Sequence, residues 1–149
     1  MDLKQTAYQY CQTAVGERLR HIKERMAQVS ESLYAETKST AGDKHETGRA
    51  MLQLEREKLG QQLQEVQKMQ QTLQQVPVAA KSEVVAMGSL VRTSNGFFYL
   101  AVSAGQCDLK DHKIYCISLS TPIAKALLGR KKNEVVSFRT TPITILEIH

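Results

Sequence analysis

The chain has 149 residues, of which 42% are apolar and 23% are charged, a balance that is typical of globular domains and excludes a disordered chain. No apolar run approaches the roughly 20 residues of a membrane-spanning helix, and the polar N-terminus lacks the apolar segment of a signal peptide. The 3 cysteines have no spacing typical of a disulfide framework, so a cytoplasmic location and no membrane partner are expected.

The net charge of +5 is unevenly distributed along the chain. Residues 1–80 carry 11 Lys and Arg against 10 Asp and Glu, whereas residues 81–149 carry 9 against 5. An excess of this size is compatible with a partner that contains nucleic acid, but many unrelated domains have it too. The charge alone therefore does not discriminate between functions.

The first half of the chain has the apolar spacing of two helices. Apolar residues recur at intervals of three and four over residues 19–33, and a second stripe runs over residues 52–76. Between these stripes, Gly42 predicts a chain reversal. Residues 1–76 are therefore predicted to form an antiparallel helical hairpin, or coiled coil. A monomer is expected because the hairpin buries both stripes within one chain.

The second half changes to the period of two that is typical of strands. Pro77 ends the second helix because proline cannot donate to the helical hydrogen bonds, and residues 77–84 are predicted to be a linker. Residues 85–149 are predicted to be a sheet domain of about five strands, with a tight turn at Asn95-Gly96. The predicted strands lie at 84–93, 97–103, 114–120, 134–138 and 143–149.

One short helix is predicted within the sheet domain, at residues 121–129. Thr121 suits the N-cap, Pro122 suits the first helical position, and Gly129 suits the C-terminal end. The whole chain is therefore predicted to be an α+β protein, in which an N-terminal antiparallel helical hairpin precedes a small sheet domain with one short helix.

Residues 42–47, Gly-Asp-Lys-His-Glu-Thr, lie between the two predicted helices. Asp43 and Glu46 have the spacing of a capping box, in which each side chain accepts from a backbone N–H. The same spacing places two carboxylates on one side of a helix, where they could supply part of a Mg²⁺ site. The pattern alone favours capping, and a Mg²⁺ site would need further ligands from a partner.

These residues and the later half of the chain resemble the Gre family of bacterial transcript cleavage factors (GreA and GreB). The tip signature of that family is Gly-Asp-Leu-Ser-Glu-Asn, so Asp43 and Glu46 match its two functional acids. Residues 116–138, CISLSTPIAKALLGRKKNEVVSF, resemble the family's serine-proline and Ala-Leu-Leu-Gly-Lys segment with its Val-Val strand. Residues 105–114, GQCDLKDHKI, resemble the acidic-Leu-Lys stretch that precedes it.

The resemblance implies a transcription elongation factor that binds bacterial RNA polymerase. In this family an FKBP-like sheet domain docks at the rim of the polymerase secondary channel, here through residues 121–129 and the neighbouring strands, and the hairpin enters the channel. Asp43 and Glu46 would then share a Mg²⁺ ion with the polymerase active site, which cleaves the 3′ end of backtracked nascent RNA. The chain is expected to be no enzyme by itself and to bind no cofactor alone.

The tip also departs from the family pattern. Lys44 and His45 replace the family's Leu-Ser, Thr47 replaces its Asn, and Arg49 lies in a segment that usually contains an acid and an aromatic residue. This basic tip supports an alternative function, a regulator or inhibitor that occupies the secondary channel without stimulating cleavage.

Four cations, Arg18, Arg20, Lys23 and Arg25, cluster on the first predicted helix. They could contact the phosphates of the nascent RNA, which is a sequence-independent interaction. Alternatively, they form a solvated face with local pairs to neighbouring glutamates. The sequence pattern favours the solvated face.

Two further interpretations have less support. Cys107, His112 and Cys116 lack the spacing of a zinc site, and a buried thiol is expected at Cys116. A prolyl isomerase of the FKBP type is disfavoured because Phe97 and Phe98 adjoin the predicted hairpin turn rather than an evident apolar pocket.

Overall fold

The computed structural model describes the backbone of residues 2–38 and 43–149, and the side chains of residues 2–38 and 46–149. Within these residues the chain forms three α-helices and six β-strands. The predicted α+β class is confirmed, with a helical hairpin before a sheet domain that contains one short helix. The elements are α1 (Leu3–Lys38), α2 (Asp43–Gln75), β1 (Leu90–Thr93), β2 (Gly96–Ala101), β3 (Gly105–Asp108), β4 (Lys113–Ser118), α3 (Pro122–Leu127), β5 (Val135–Phe138) and β6 (Thr141–Ile148).

The contacts divide the chain into two compact units. The hairpin unit is Val15–Met69, and the sheet unit combines Met1–Ala14 with Gln70–His149. The limits predicted from the sequence, 1–76, 77–84 and 85–149, follow the change in apolar period and remain a prediction.

In the hairpin unit, α1 and α2 pack antiparallel along the predicted apolar stripes. Ile22 and Val29 of α1, and Leu59 and Val66 of α2, are all buried. Burial of an aliphatic side chain contributes about 1.5–3 kcal/mol, whereas isolated helices are only marginally stable in water. The buried seam between the helices, rather than helix propensity, therefore holds the hairpin together.

The sheet unit contains a mixed sheet with the strand order β3-β4-β2-β1-β6-β5. β2 and β4 are parallel, and the other neighbouring strands are antiparallel. The prediction of about five strands omitted β3, whose sequence Gly-Gln-Cys-Asp has no apolar alternation. This segment becomes a strand because it pairs with β4, from Gly105 opposite Cys116 to Asp108 opposite Lys113.

The predicted turn at Asn95-Gly96 is confirmed. Thr93 pairs with Gly96 across the β1–β2 hairpin, and Gly96 has a φ of +103°. The Thr93 hydroxyl donates to the Gly96 carbonyl at 2.8 Å and accepts from the Asn95 N–H at 3.0 Å. The strand before this turn is shorter than predicted, because Gly88 adopts a φ of +84° and delays its start to Leu90.

The sheet is covered on both faces within the sheet unit. One face carries Val91 and Leu100, which pack with Leu127 of α3. The other face carries Tyr99 and Cys116, whose thiol hydrogen-bonds with that of Cys11 in α1. Successive strand residues point to opposite faces, so β2 supplies side chains to both layers.

Helix α3 has the ends that the sequence predicts. The Thr121 side chain accepts from the Ala124 N–H at 3.3 Å, and Pro122 occupies the first helical position. Gly129 follows the helix with a φ of +78°, and its N–H donates to the Val85 carbonyl at 2.8 Å. The capping places Ala124 and Leu127 in the core.

Two helical glycines have no packing role that requires glycine. A Cβ added at Gly16 or Gly60 would meet no atom within 4 Å. We expect Gly16→Ala and Gly60→Ala each to increase the free energy of unfolding by about 0.5–1 kcal/mol, because alanine loses less backbone entropy in a helix. Urea denaturation followed by far-UV circular dichroism measures this change.

Gly88→Ala is the matched control for these two variants. A Cβ added at Gly88 would lie 3.0 Å from the Val76 side chain, and the new alanine would have to keep a φ of +84°. This variant is therefore expected to lose stability. An unchanged or lower stability of both helix variants would contradict the prediction.

Tyr99 predicts a dependence of stability on alkaline pH. Its side chain is fully buried, and its hydroxyl has no hydrogen-bond partner among the described residues. Burial raises the pKa of this hydroxyl above its usual value of 10.0, an effect that Cys11 and Tyr8 increase. Because the folded state holds the Tyr99 proton more tightly than the unfolded chain does, the free energy of unfolding is unaffected by this group below about pH 10 and falls as the pH rises further.

Tyr99→Phe is therefore expected to raise the free energy of unfolding at neutral pH by about 1 kcal/mol, since it removes a buried polar group without a partner. It should also reduce the loss of stability above about pH 10. Urea denaturation at neutral and alkaline pH compares this variant with Tyr115→Phe, whose side chain is exposed. Equal pH profiles for the two variants would refute the role of Tyr99.

Candidate functional site

The end of the hairpin contains the two acids that the sequence singles out. α2 begins at Asp43, so positions 43 and 46 both lie in its first turn, and helical positions three residues apart share one side. Glu46 is exposed. Gly42 lies outside the described residues, as do the side chains of Asp43, Lys44 and His45. The capping and Mg²⁺ hypotheses for Asp43 and Glu46 therefore both remain predictions.

One further carboxylate lies near this end of the hairpin. Glu36 of α1 faces α2 at Gly48, where a Cβ would lie 3.6 Å from the Glu36 Oε1. Sequence spacing does not reveal this proximity, because the two residues belong to different helices. Among the described side chains, no group of three His, Cys, Asp or Glu residues could hold a metal ion.

The arginines of the predicted cation cluster form ion pairs within the hairpin unit. Arg25 donates to both carboxylate oxygens of Glu55, at 2.5 and 2.8 Å, across the two helices. This hydrogen bonding raises the pKa of Arg25 and lowers that of Glu55. Arg20 pairs with Glu24 at 3.0 Å within α1.

The remaining members of the cluster are also exposed. Arg18 lies 3.7 Å from Glu65 on α2, and Lys23 is exposed on α1. The pairing with Glu55 and Glu65 could not be predicted, because these partners lie on the other helix. Exposed ion pairs are weak, so these arginines could exchange their glutamate partners for phosphates. The RNA contact therefore stays a prediction.

The sheet unit contains an apolar cavity of about 260 Å³ on the face that α3 partly covers. Phe98 and Tyr115 are directly opposite each other in β2 and β4, with ring centroids 5.6 Å apart. The expectation that Phe98 lies outside any apolar pocket was wrong, because parallel pairing brings it to Tyr115 and α3 brings Ile123 to the same place. The cavity is lined by Asn95, Phe98, Tyr115, Ile123, Phe138 and Ile143.

The turn beside this cavity has a strained backbone. Arg139 and Thr140 connect β5 to β6 with φ values of +50° and +66°, a conformation that costs L-residues roughly 1–2 kcal/mol each. The Arg139 guanidinium lies 5.2 Å from the centroid of the Phe138 ring. Because Phe138 lines the cavity, this contact places the Arg139 cation beside it.

The basic segment after α3 is also at the surface. Arg130 lies 3.5 Å from Glu134, and Lys131 and Lys132 are exposed. The segment therefore combines a local ion pair with two solvated lysines beside the predicted docking region.

Cys107 and Cys116 are buried in the sheet unit, whereas His112 lies at its surface. Both thiols are buried, and the hydrogen bond with Cys11 raises the pKa of Cys116 while burial raises that of Cys107. His112 is exposed and its ring lies 5.2 Å from that of Phe97, edge to face. In the described part of the chain these residues do not form a metal site.

None of the helices in residues 2–38 and 43–149 has the length and apolar content needed to span a bilayer.

Two solved structures are similar to this chain at low sequence identity. GreA factor homolog 1 (Gfh1) of Thermus thermophilus is 19% identical with a TM-score of 0.36, and the match covers 91% of this chain and 92% of that chain. A structure of the transcription factor Gfh1 is 20% identical with a TM-score of 0.37, covering 91% and 90%. At such low values, neither similarity carries an inference about function.

No protein-family model and no curated protein matches the sequence. The order of elements, a helical hairpin followed by a mixed sheet with a short helix, agrees with the layout that the resemblance to the Gre family implies.

Proposed function

We propose that this chain is a Gre-type transcription elongation factor of bacterial RNA polymerase. Its hairpin would enter the secondary channel and stimulate cleavage of the 3′ end of backtracked RNA by the polymerase active site. The observation that carries the proposal is the position of the two acids. α2 starts at Asp43, and Glu46 is exposed in its first turn, where the two helices of the hairpin meet.

Two carboxylates would be sufficient as this chain's share of a Mg²⁺ site that the polymerase completes. Mg²⁺ prefers six oxygen ligands and usually takes only one or two protein carboxylates. Asp43 and Glu46 would supply ligand oxygens and accept a hydrogen bond from the attacking water, while the polymerase and the RNA supply the other ligands. The chain would then have no hydrolytic activity and no bound cofactor when it is alone.

The hairpin would hold these two acids in a defined position. A carboxylate helps a metal-assisted reaction only if it is held close to the productive geometry. The buried seam of the hairpin unit fixes the register of α2 against α1, with Leu59 and Val66 in its interior. The exposed cations of α1, including Lys23, would lie beside the displaced RNA, and the factor would act as a cytoplasmic monomer.

The sheet unit would provide the docking surface. Its apolar cavity is lined by Ile123 of α3, which belongs to the predicted docking segment 121–129, together with Phe98 and Tyr115. A cavity of about 260 Å³ has room for an apolar side chain of the polymerase. The exposed cation of Arg139 at its rim suits an acidic residue on the same partner.

The first test uses a stalled, backtracked transcription complex with end-labelled RNA at matched Mg²⁺. The Asp43→Asn/Glu46→Gln variant is expected to lower the rate of transcript shortening at least about tenfold, because amides are poor Mg²⁺ ligands. Asparagine caps helices as well as aspartate does, so a pure capping role predicts retained cleavage. Glu31→Ala/Glu57→Ala, which removes two exposed acids elsewhere on the hairpin, should cleave like the native chain.

Three outcomes of this experiment are distinguishable. Loss of cleavage in the amide variant alone supports the metal role of Asp43 and Glu46. Equal cleavage by all three proteins refutes it. If none of them cleaves but all bind the polymerase, the chain is the alternative, a channel-occupying regulator without cleavage activity.

The docking surface is tested separately by equilibrium binding to core RNA polymerase. Tyr115→Ala and Ile123→Ser are each expected to weaken binding at least about tenfold, because they remove apolar contact from the centre of an interface. Val135→Ala is the control, since Val135 is 60% exposed but does not line the cavity. Equal affinities of all three variants, with folding verified by circular dichroism, would exclude the cavity as the docking surface.

A further inference from the structure

A second cavity of about 520 Å³ lies in the sheet unit, between the start of α1 and the segment that follows α2. Its wall includes Lys4 from α1 and Lys81 from the segment before β1, together with apolar side chains such as Leu3 and Leu90. Neither the hairpin end nor the aromatic cavity shares any of these residues. The cavity is within the size range of small-molecule binding sites.

Lys4 is an unusual residue on this wall because it is only 9% exposed. Its ammonium group donates to the Ala80 carbonyl at 2.6 Å, which occupies one of its three N–H donors. Burial lowers the pKa of Lys4, and the charge of nearby Lys81 lowers it further, whereas Asp2 raises it. A buried ammonium is costly unless an anion or several acceptors compensate its charge.

The acidic side chain on the cavity wall is Asp2, which interacts with Lys4 and also caps α1. Asp2 accepts from the Gln5 N–H at 3.1 Å and so begins α1. Glu147 accepts from Arg92 at 2.9 Å and contacts the His149 ring at 3.0 Å, with the Arg92 hydrogen bond as the main cause of its lowered pKa. The cavity wall thus combines the ammonium groups of Lys4 and Lys81 with the carboxylate of Asp2 and with His149.

We propose that this cavity binds a small phosphorylated molecule, or phosphate itself, with Lys4 and Lys81 as the charged contacts. A phosphate group can accept hydrogen bonds from both ammonium groups, and charge-assisted bonds of this kind are the stronger ones. The apolar wall at Leu3 and Leu90 receives the organic part of the ligand.

The test is isothermal titration calorimetry of the full chain with two probes, inorganic phosphate and phenyl phosphate. Lys81→Ala is expected to weaken binding of either probe at least about fivefold, since one of two ammonium contacts is lost. Lys4→Gln, which keeps a donor for Ala80 but removes the charge, should weaken binding at least about tenfold. Lys110→Ala, an exposed lysine of the same unit, is the matched control and should bind like the native chain.

The outcomes separate the two sources of phosphate. Tighter binding of phenyl phosphate than of inorganic phosphate supports an organic ligand, and equal binding supports phosphate alone. An absence of binding heat with both probes overturns the proposal, as does equal affinity of the native chain and both lysine variants. Circular dichroism verifies that Lys4→Gln folds, and Lys81→Ala gives an independent result because Lys81 is exposed.

Discussion

The interaction on which the rest of the hairpin depends is the buried seam between α1 and α2. Two helices of this length expose most of their backbone and side chains to water, and neither would persist without the other. Buried Leu59 and Val66 recur at an interval of seven, so both lie on the face of α2 that packs against α1 in the observed register. That register decides which residues come at the hairpin end, so the position of Glu46 is a consequence of aliphatic packing far from it in sequence. The ion pair of Arg25 with Glu55 lies beside the same seam.

The sheet unit is organised around β2, whose residues alternate between two layers. Leu100 contributes to the layer with α3, while Tyr99 is buried against the start of α1. The first turns of the chain thus belong to the packing of a sheet that begins about ninety residues later. The two cavities of this unit follow from the same layering. One lies where the six residues of α3 leave Phe98 half-covered, and the other lies where α1 starts.

The elements that could be predicted from the sequence are those whose signals are local. The hairpin stripes, the ends of α3 and the turn at Asn95-Gly96 each depend on residues within a few positions of one another. β3 could not be predicted because its strand character comes from pairing with β4. The aromatic cavity combines Phe98 with Phe138, and the burial of Lys4 depends on Ala80, so no short pattern contains them. For Asp43 and Glu46 the limit is different, because capping and metal binding require the same spacing.

Because its native thiols are buried, the chain is suited to site-specific fluorescent labelling. All three cysteines are inaccessible, and hydrogen bonding or burial disfavours the thiolate of Cys116 and of Cys107. Because the thiolate is the nucleophile that attacks a maleimide, the folded chain would react slowly with maleimide dyes. A single cysteine introduced at exposed Arg49 would then be labelled selectively without removal of the native ones. Such a dye, close to the hairpin end, would report by energy transfer how far that end lies from a second dye on a binding partner.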